Sequence, residues 1–504
     1  MEEAQTLFCV ANLTSLFFSF TISFITFSFF LFFLLRTTNH RSWCACSVCR
    51  AYVSRSWTST YPNLCDWYTH LLRLSPTHTV DIHVLGSTVT ADPSNVEHLL
   101  RTRFDNYPKG KPFSSILGDL LGRGIFNVDG DAWRFQRKMA SLELGSVSVR
   151  SYAFRIMTSE ISSRLVPLLD SFAVSRRVFD LQDVFRRFAF DNICRISFGL
   201  DPGCLELSLP ISDFASAFDL ASGLSAGRAV TTSPFVWKLK RFLGLGSERD
   251  LARAIRLVDE LAREVIKQKR KLRGMGSEDQ DLLSRFMGST DDDDYLRDIV
   301  ISFLLAGRDT VASALVSYFF LLSTHPEVEA AVRDEIINND DDGHDHGGLE
   351  GLRGMHYVHA SMYESLRLYP PVQFDSKFAL EDDVLPDGTA IGKGTRVTYH
   401  PYAMGRMESI WGADCLEFHP ERWLKEGLFT PVSPFKFPVF QAGARVCLGK
   451  ELALMEMKSV IVSIVRRFEF EAVKDDRELK FAPGLTATVS GGLPVRVRRR
   501  RSGL

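Results

Sequence analysis

The stretch "FQAGARVCLGK", Phe440 to Lys450, decides how the rest of the chain is read. One cysteine, Cys447, stands between Gly443 and Gly449, two residues after Arg445, and runs into "LGKELALMEMKSVIVSIVRRF", whose apolar spacing predicts a helix. A sulfur just ahead of a helix N-terminus is favoured as a thiolate by the helix dipole. The two glycines remove side-chain bulk on either side, so that a flat ligand can approach the backbone and amide N–H groups can point at the sulfur. Arg445 adds a fixed positive charge. A buried structural cysteine on a helix cap has the same local sequence.

Working outward, these features suit one axial thiolate ligand to a haem. The carboxylates of a haem want an arginine, and its iron gains electron density from the sulfur. The chain around this loop is long, with 504 residues, 45% of them apolar, enough for a well-buried core. Its formal net charge of −1 gives no basic footprint for nucleic acid, which is excluded as a partner. Nine cysteines, at 9, 44, 46, 49, 65, 194, 204, 415 and 447, form an odd and irregular set, read as mostly reduced thiols. Cys44, Cys46 and Cys49 raise zinc or palmitoylation as readings, but no fourth close cysteine completes a tetrahedral site, and unmodified thiols are expected.

The N-terminus carries "LFFSFTISFITFSFFLFFLL", Leu16 to Leu35, twenty residues without a charge. At about 1.5 Å per residue this run spans a bilayer core of about 30 Å. Arg36, Arg41, Arg50 and Arg55 follow it, so the rest of the chain is expected on the cytosolic side of a single-pass anchor. The expected organisation is an anchor over residues 1–36, a linker over 37–59 and one globular domain over 60–504. Helical periodicity dominates from about Asn95 to Leu368, and "NNDDDGHDHGG" (338–348) reads as a solvated loop. After Tyr369 short strand-like runs are punctuated by turns such as Pro-Asp-Gly in "VLPDGTAIGKGTRVTY". The terminal "VRVRRRR" reads as a solvated tail.

Three further segments carry chemistry. In "LLAGRDTVAS", Gly307 inside an apolar helix costs about 1 kcal/mol relative to alanine, which close approach of a flat cofactor would explain. Thr310 can bond the carbonyl of Ala306 and loosen the helix, and Asp309 with Thr310 can deliver protons; a surface-facing Asp-Thr pair fits the bare pattern equally. In "ASMYESLRLYPP", Glu364 and Arg367 share a helix face, as an ordinary surface pair also would. In "DGDAWRFQRKMAS", Trp133 and Arg137 are four apart on one face, as on any amphipathic helix.

Together these segments resemble the cytochrome P450 superfamily. Phe440, Gly443, Arg445, Cys447 and Gly449 fill its haem-loop pattern F-x-x-G-x-R-x-C-x-G, and Ala306, Gly307, Asp309 and Thr310 fill its oxygen-activation motif. Glu364, Arg367 and Arg422 of "FHPERW" resemble its buried Glu-Arg-Arg network, a structural device. Trp133 and Arg137 resemble its W-x-x-x-R, whose arginine holds a haem carboxylate, and Lys377 in "DSKFAL" stands where many relatives have arginine. The resemblance implies a mainly α fold, a helical body around haem b with small β-sheets, and Cys447 as the axial ligand of the iron. It also implies a monooxygenase that uses dioxygen and takes electrons from a membrane-bound NADPH-cytochrome P450 reductase, docking near Arg445 and Lys450. No dinucleotide fingerprint or flavin module of the chain's own is seen.

The wording of "GRGIFNVDGDAWRFQRKMASLELGSVSVRSYAF", "DLQDVFRRFAFDNI" and "PPVQFDSKFALEDDVLPDG" is similar to the plant omega-hydroxylases of fatty acids, nearest the 94C-like branch that also oxidises jasmonoyl-isoleucine. That implies attack on a terminal carbon and, in this branch, repeated oxidation to the carboxylic acid, at the endoplasmic reticulum membrane. The substrate loops are then 107–130, 370–377 and 484–492. Their Phe113, Ile116, Leu117, Leu120, Val372, Phe374 and Leu485 would line an apolar tunnel. Lys109, Lys111 and Arg123 are candidates for holding the substrate's acid end. Two other readings are a haem-thiolate isomerase or dehydratase of lipid hydroperoxides, against which the intact Asp309-Thr310 pair argues, and a non-catalytic haem-binding membrane protein.

Overall fold

A computed structural model describes residues 20–28, 44, 46–206, 213–231, 233–274, 281–341, 349–473, 478–482 and 484–500. Among these residues the architecture is mainly helical, with small sheets at its edges. The organising element is the helix Asp293–Thr324, which is long and apolar enough to cross a membrane but lies mostly buried inside the protein. Asp292 caps its start by accepting from the backbone N–H groups of Asp294 and Tyr295. Its second half, Thr310–Thr324, is apolar all round and packs on every side, as expected of a core helix.

Two apolar clusters divide along this helix. One joins Val311–Leu322 to the helices Leu181–Phe198, His356–Leu368 and Lys450–Val465. The other joins Leu296–Leu304 to the helices Gly110–Leu121, Asp213–Ala229 and Gly246–Gly274. A third cluster sits under the four-stranded sheet, ordered Thr79–Ile82, Ser87–Thr90, Arg396–Tyr399, Asp375–Phe378. Ser87–Thr90 runs parallel to Arg396–Tyr399, and the other two pairings are antiparallel. The Pro-Asp-Gly segment forms the expected turn between Asp383–Val384 and Ala390–Ile391, with Gly388 at φ 87°.

Several sequence expectations change. Residues 20–28 of the apolar N-terminal run are helical, and the side chains of Phe20, Ile22, Phe24, Ile25 and Phe27 are exposed; the rest of Leu16–Leu35 lies outside the described residues. Much of the expected linker is structured: Ser47–Ser54 is helical, Cys49 and Tyr52 join the third cluster, and the Tyr52 hydroxyl donates to the Val230 carbonyl at 2.8 Å. The globular unit therefore begins before residue 60. Within 107–130, read as a loop, Gly110–Leu121 is a helix with Leu117, Leu120 and Leu121 buried. Residues 338–341 of the expected acidic loop continue the helix Pro326–Asp341, and 342–348 lie outside the described residues. Most of the terminal "VRVRRRR" is no tail: Pro494–Arg499 is a strand between Phe468–Ala472 and Phe179–Asp180, with Val495 and Val497 buried.

Candidate active site

The Cys447 loop is built by two tight approaches. Gly443 has φ 60°, and a Cβ there would lie 2.0 Å from the Leu100 carbonyl oxygen, so only glycine fits. The Cys447 N–H donates to the Phe440 carbonyl at 2.7 Å, closing the loop just before the helix Lys450–Val465. Around Gly449 a Cβ would meet nothing within 4 Å, so the space beside the loop is open there. Cys447 as a residue has accessible surface although burial pushes its thiol pKa up. Both hold at once when the residue faces an enclosed interior space. Against burial, the Gly449 N–H, Arg137 and Lys450 favour the thiolate.

A matching opening lies on the central helix. Leu305–Asp309 is a π-helical turn, with Leu304, Arg308 and Asp309 buried while Ala306 is exposed and Thr310 partly so. The Thr310 Oγ1 donates to the Ala306 carbonyl, the helix-loosening bond read from the sequence. Gly307 has a different neighbour from the one expected: a Cβ there would come within 2.4 Å of Ile193 Cδ1 on the helix Leu181–Phe198. Helix–helix packing is therefore a sufficient reason for this glycine.

Asp309 is buried, and burial raises its carboxyl pKa, with Arg308 lowering it and Asp219 raising it further. Its Oδ1 accepts no hydrogen bond and lies 3.4 Å from Arg308 Nη1, which also reaches Asp219 at 2.6 Å. Asp219 is partly exposed, so a chain of polar groups connects Asp309 to solvent. A carboxyl placed this way can take up and release a proton.

Arg445, Arg137, Lys109 and Lys377 gather beside the loop, and among the described residues their ion-pair partners are Asp129 and Asp375. Arg445 donates to Asp129 Oδ1 at 2.5 Å and to the Val128 carbonyl, and its guanidinium lies 4.6 Å from the buried Trp133 ring. Asp129 also accepts from the backbone N–H groups of Lys109 and Gly110. Asp375 takes Lys109, Lys377 at 2.9 Å and the Tyr399 hydroxyl. Burial alone would raise the Asp375 pKa, yet the two lysines hold it far below the usual range. Burial lowers Lys377 to about 7, Asp375 opposing, and lowers both arginines. Arg445 Nε is buried without an acceptor. The two arginines and two lysines outnumber the two carboxylates, a surplus of basic groups that suits a ligand bearing carboxylates. Haem fits this donor set: Cys447 for the iron, with Arg137, Arg445, Trp133 and Lys377 for the carboxylates.

Behind the loop, Glu364 and Arg367 are fully buried and pair through two bonds of 2.7 Å. Arg422 reaches Glu364 at 3.3 Å and Asp414 at 2.7 Å. The network is buried as the sequence implied, and Trp423 Nε1 and the His419 N–H complete the carboxylate's partners.

The substrate residues divide. Phe113, Ile116, Leu117 and Leu485 share one apolar cluster with Leu304 and Leu305 of the central helix and with Leu448, the neighbour of Cys447. Leu120 belongs to the same cluster but has no exposed surface, so it is core and not lining. Val372 and Phe374 lie outside that cluster, and Phe374 packs near the His400 ring at 5.6 Å. Lys109 is committed to Asp375 and lies over the Phe113 ring, Arg123 pairs with Asp292 in solvent, and Lys111 is exposed. Arg445 is too buried to serve as a docking charge, and Lys450 is half-buried over the Tyr363 and Phe440 rings. Sequence reading missed Asp129, Asp375 and Asp219, whose partners come from distant segments.

A cysteine between two glycines at the mouth of a helix, an acid–alcohol pair on a loosened helix and a surplus of basic side chains together fit a haem-thiolate protein. A match to the cytochrome P450 family spans residues 73–493, and the chain belongs to that family. It is a monooxygenase that binds the iron of haem b through a cysteine thiolate. Cytochrome P450 94C1 of Arabidopsis thaliana is 59% identical over 491 residues, covering 96% of this chain and 99% of that protein. Cytochrome P450 94B1 of Arabidopsis thaliana is 48% identical over 450 residues (87% and 88%), and cytochrome P450 94A1 of Vicia sativa 42% over 453 residues (87% of each). The chain is thus a plant-type member of the 94 group, more similar to the 94C protein than to these 94B and 94A proteins.

Proposed function

We propose that this monooxygenase hydroxylates the terminal carbon of fatty acids, of jasmonoyl-isoleucine or of both, and carries the product onward to the carboxylic acid, as jasmonate catabolism requires. The observation that carries the reading is the apolar cluster in which Phe113, Ile116, Leu117 and Leu485 meet the central helix beside the Cys447 loop. A chain held there is gripped along its length, and its end is the part that reaches the reacting position. A terminal C–H bond is stronger than its neighbours, so the protein must succeed by positioning and by excluding the penultimate carbon.

When bound, the haem supplies the oxidation of an unactivated C–H bond with one atom of dioxygen. The chain's own residues do the rest. Asp309 moves protons inward from the Arg308–Asp219 pair, and Thr310, held against the Ala306 carbonyl, positions the last donor. Burial raises the Cys447 pKa, and the Gly449 N–H with the charges of Arg137 and Lys450 work against it, toward the thiolate that an iron ligand needs. Electrons come from NADPH-cytochrome P450 reductase, for which exposed Arg134 and Lys138 on the helix Gly130–Leu144 offer charge. The run Leu16–Leu35 anchors the protein in the endoplasmic reticulum membrane, single-pass, with the catalytic domain in the cytosol.

The test incubates microsomes containing the protein and reductase with NADPH and, separately, medium-chain fatty acids, jasmonoyl-isoleucine and its hydroxylated form. Mass spectrometry is expected to find terminal alcohols and acids. Products only at inner carbons, or from none of these lipids, would overturn the reading; product without NADPH would favour an isomerase. Thr310→Ala should raise NADPH use per product formed, and unchanged coupling would remove Thr310 from the proton path.

A further inference from the structure

The fourth ligand that the sequence lacks near Cys44, Cys46 and Cys49 arrives in space from a distant segment. His83 opens the short 3-10 turn between the strands Thr79–Ile82 and Ser87–Thr90, and its imidazole meets the three sulfurs. One donor atom from each of the four residues lies within 4.8 Å of all the others, and Cys44 Sγ is 3.6 Å from His83 Nδ1. A tetrahedral zinc with bonds of about 2.3 Å to sulfur sets its ligand atoms about 3.8 Å apart, so the four donors need move by less than about 1 Å to close on an ion.

We propose that Cys44, Cys46, Cys49 and His83 form a structural zinc site of three sulfurs and one imidazole nitrogen. The surroundings are those of a thiolate site. Cys46 is the N-cap of the helix Ser47–Ser54, and its sulfur accepts the Cys49 N–H at 3.4 Å. The Val84 backbone N–H is directed at the Cys49 sulfur. Two amide donors aimed at two sulfurs disperse the negative charge that three thiolates bring to one divalent ion. Cys49 is fully buried in the cluster that also holds Tyr52, Trp67 and Val84, so one ligand is fixed by the core while Cys46 and His83 remain open to an incoming ion. Zinc, with no redox chemistry and a preference for closed sites of sulfur and nitrogen, matches this set; calcium and magnesium, which want oxygen, do not.

The site has a structural consequence. It fastens residues 44–49, which follow the apolar N-terminal run, to the first hairpin of the four-stranded sheet. That sheet also carries Asp375 and Lys377 of the haem cradle. The clasp therefore ties the start of the helix Ser47–Ser54 to the sheet that helps to build the cradle.

The experiment uses the full chain, purified in detergent with reductant and without chelator, with zinc and haem measured by elemental analysis and the carbon-monoxide spectrum. One zinc per haem is expected, and Cys46→Ser and His83→Ala should each lose at least nine-tenths of the zinc while retaining haem. Because both variants keep a haem readout, loss of zinc is separated from loss of fold. In the wild type, Cys44, Cys46 and Cys49 should resist alkylation until a zinc chelator is added, and trypsin should then cut faster at Arg50 and Arg55. Zinc below a tenth of an equivalent even after incubation with excess zinc would overturn the proposal. So would equal zinc in the variants, or a disulfide or acyl thioester found on these cysteines by mass spectrometry. None of these outcomes depends on which lipid the enzyme oxidises.

Discussion

Two buried charged groups lie on either side of the Cys447 loop, and they are not alike. In the Glu364 network two arginines face two carboxylates, and the remaining donors of Arg367 and Arg422 find the carbonyls of Gly405, Cys415, Glu417, Trp411 and Asp414. In the Arg445 cluster Lys109 and Lys377 share Asp375, Arg445 takes Asp129, Arg137 stands nearby with no carboxylate among the ion pairs of the described residues, and Arg445 Nε has no acceptor. Burying charge is expensive unless it is paired and hydrogen-bonded. A cluster complete by itself holds the fold; one left with surplus charge is incomplete until an anion arrives.

Removing a member of the complete network should have the largest effect. Arg367→Met strips Glu364 of its bidentate partner, leaving Arg422, Trp423 and the His419 N–H, and strands three carbonyls, a loss of about 3–5 kcal/mol, a large share of the roughly 5–15 kcal/mol of an ordinary fold. The expected outcome is little or no folded haemprotein, read by thermal melting and the carbon-monoxide spectrum. Exchanging both partners, Glu364→Leu with Arg367→Met, sharpens the point, because the backbone groups they satisfy would still be stranded. A double variant as stable as the wild type would make the network dispensable. Arg445→Leu should spare the fold, since Asp129 keeps the N–H groups of Lys109 and Gly110. Haem retention should instead fall roughly ten- to hundredfold, matching about 1.5–3 kcal/mol for a hydrogen bond to a charged group. Transfer of haem to excess apomyoglobin measures it, and unchanged transfer would place the haem carboxylates elsewhere.

What was legible in the sequence follows from the range of the contacts. Gly443, Arg445 and Cys447 act within one loop, and Glu364 and Arg367 within one turn of helix, so spacing alone carries them. Asp129 was silent because its partner Arg445 lies hundreds of residues away, and Asp375 because the Lys109 that joins its neighbour Lys377 on the carboxylate comes from as distant a segment. The helix Gly110–Leu121 was hidden by its punctuation. Pro112 sits in its first turn, where its missing N–H costs little, and Gly122 at φ 52° ends it. The strand Pro494–Arg499 was masked by its arginines, although Val495 and Val497 alternate as an edge of the core requires. Gly307 was legible as a position needing explanation, but Ile193, which supplies one, comes from a helix more than a hundred residues earlier.

The smallest expected effect tests the surplus charge by its protons. Lys377 has its pKa lowered to about 7 by burial, with Asp375 opposing and Lys109 and Arg445 reinforcing the shift. An unfolded lysine titrates near 10.4, so between pH 7 and 10 the unfolded haem-free chain binds more protons than the folded one. Stability of that form should therefore rise with pH across this window, the reverse of a lysine stabilised by its partner. A carboxylate arriving beside Lys377 favours the ammonium and raises its pKa, so haem binding takes up a proton and weakens as pH climbs above 7. The expected result is haem release that accelerates a few-fold between pH 7 and 9 in the wild type and stays flat in Lys377→Met. Equal pH dependence in both proteins would remove Lys377 from the cradle and leave its charge to Asp375 alone.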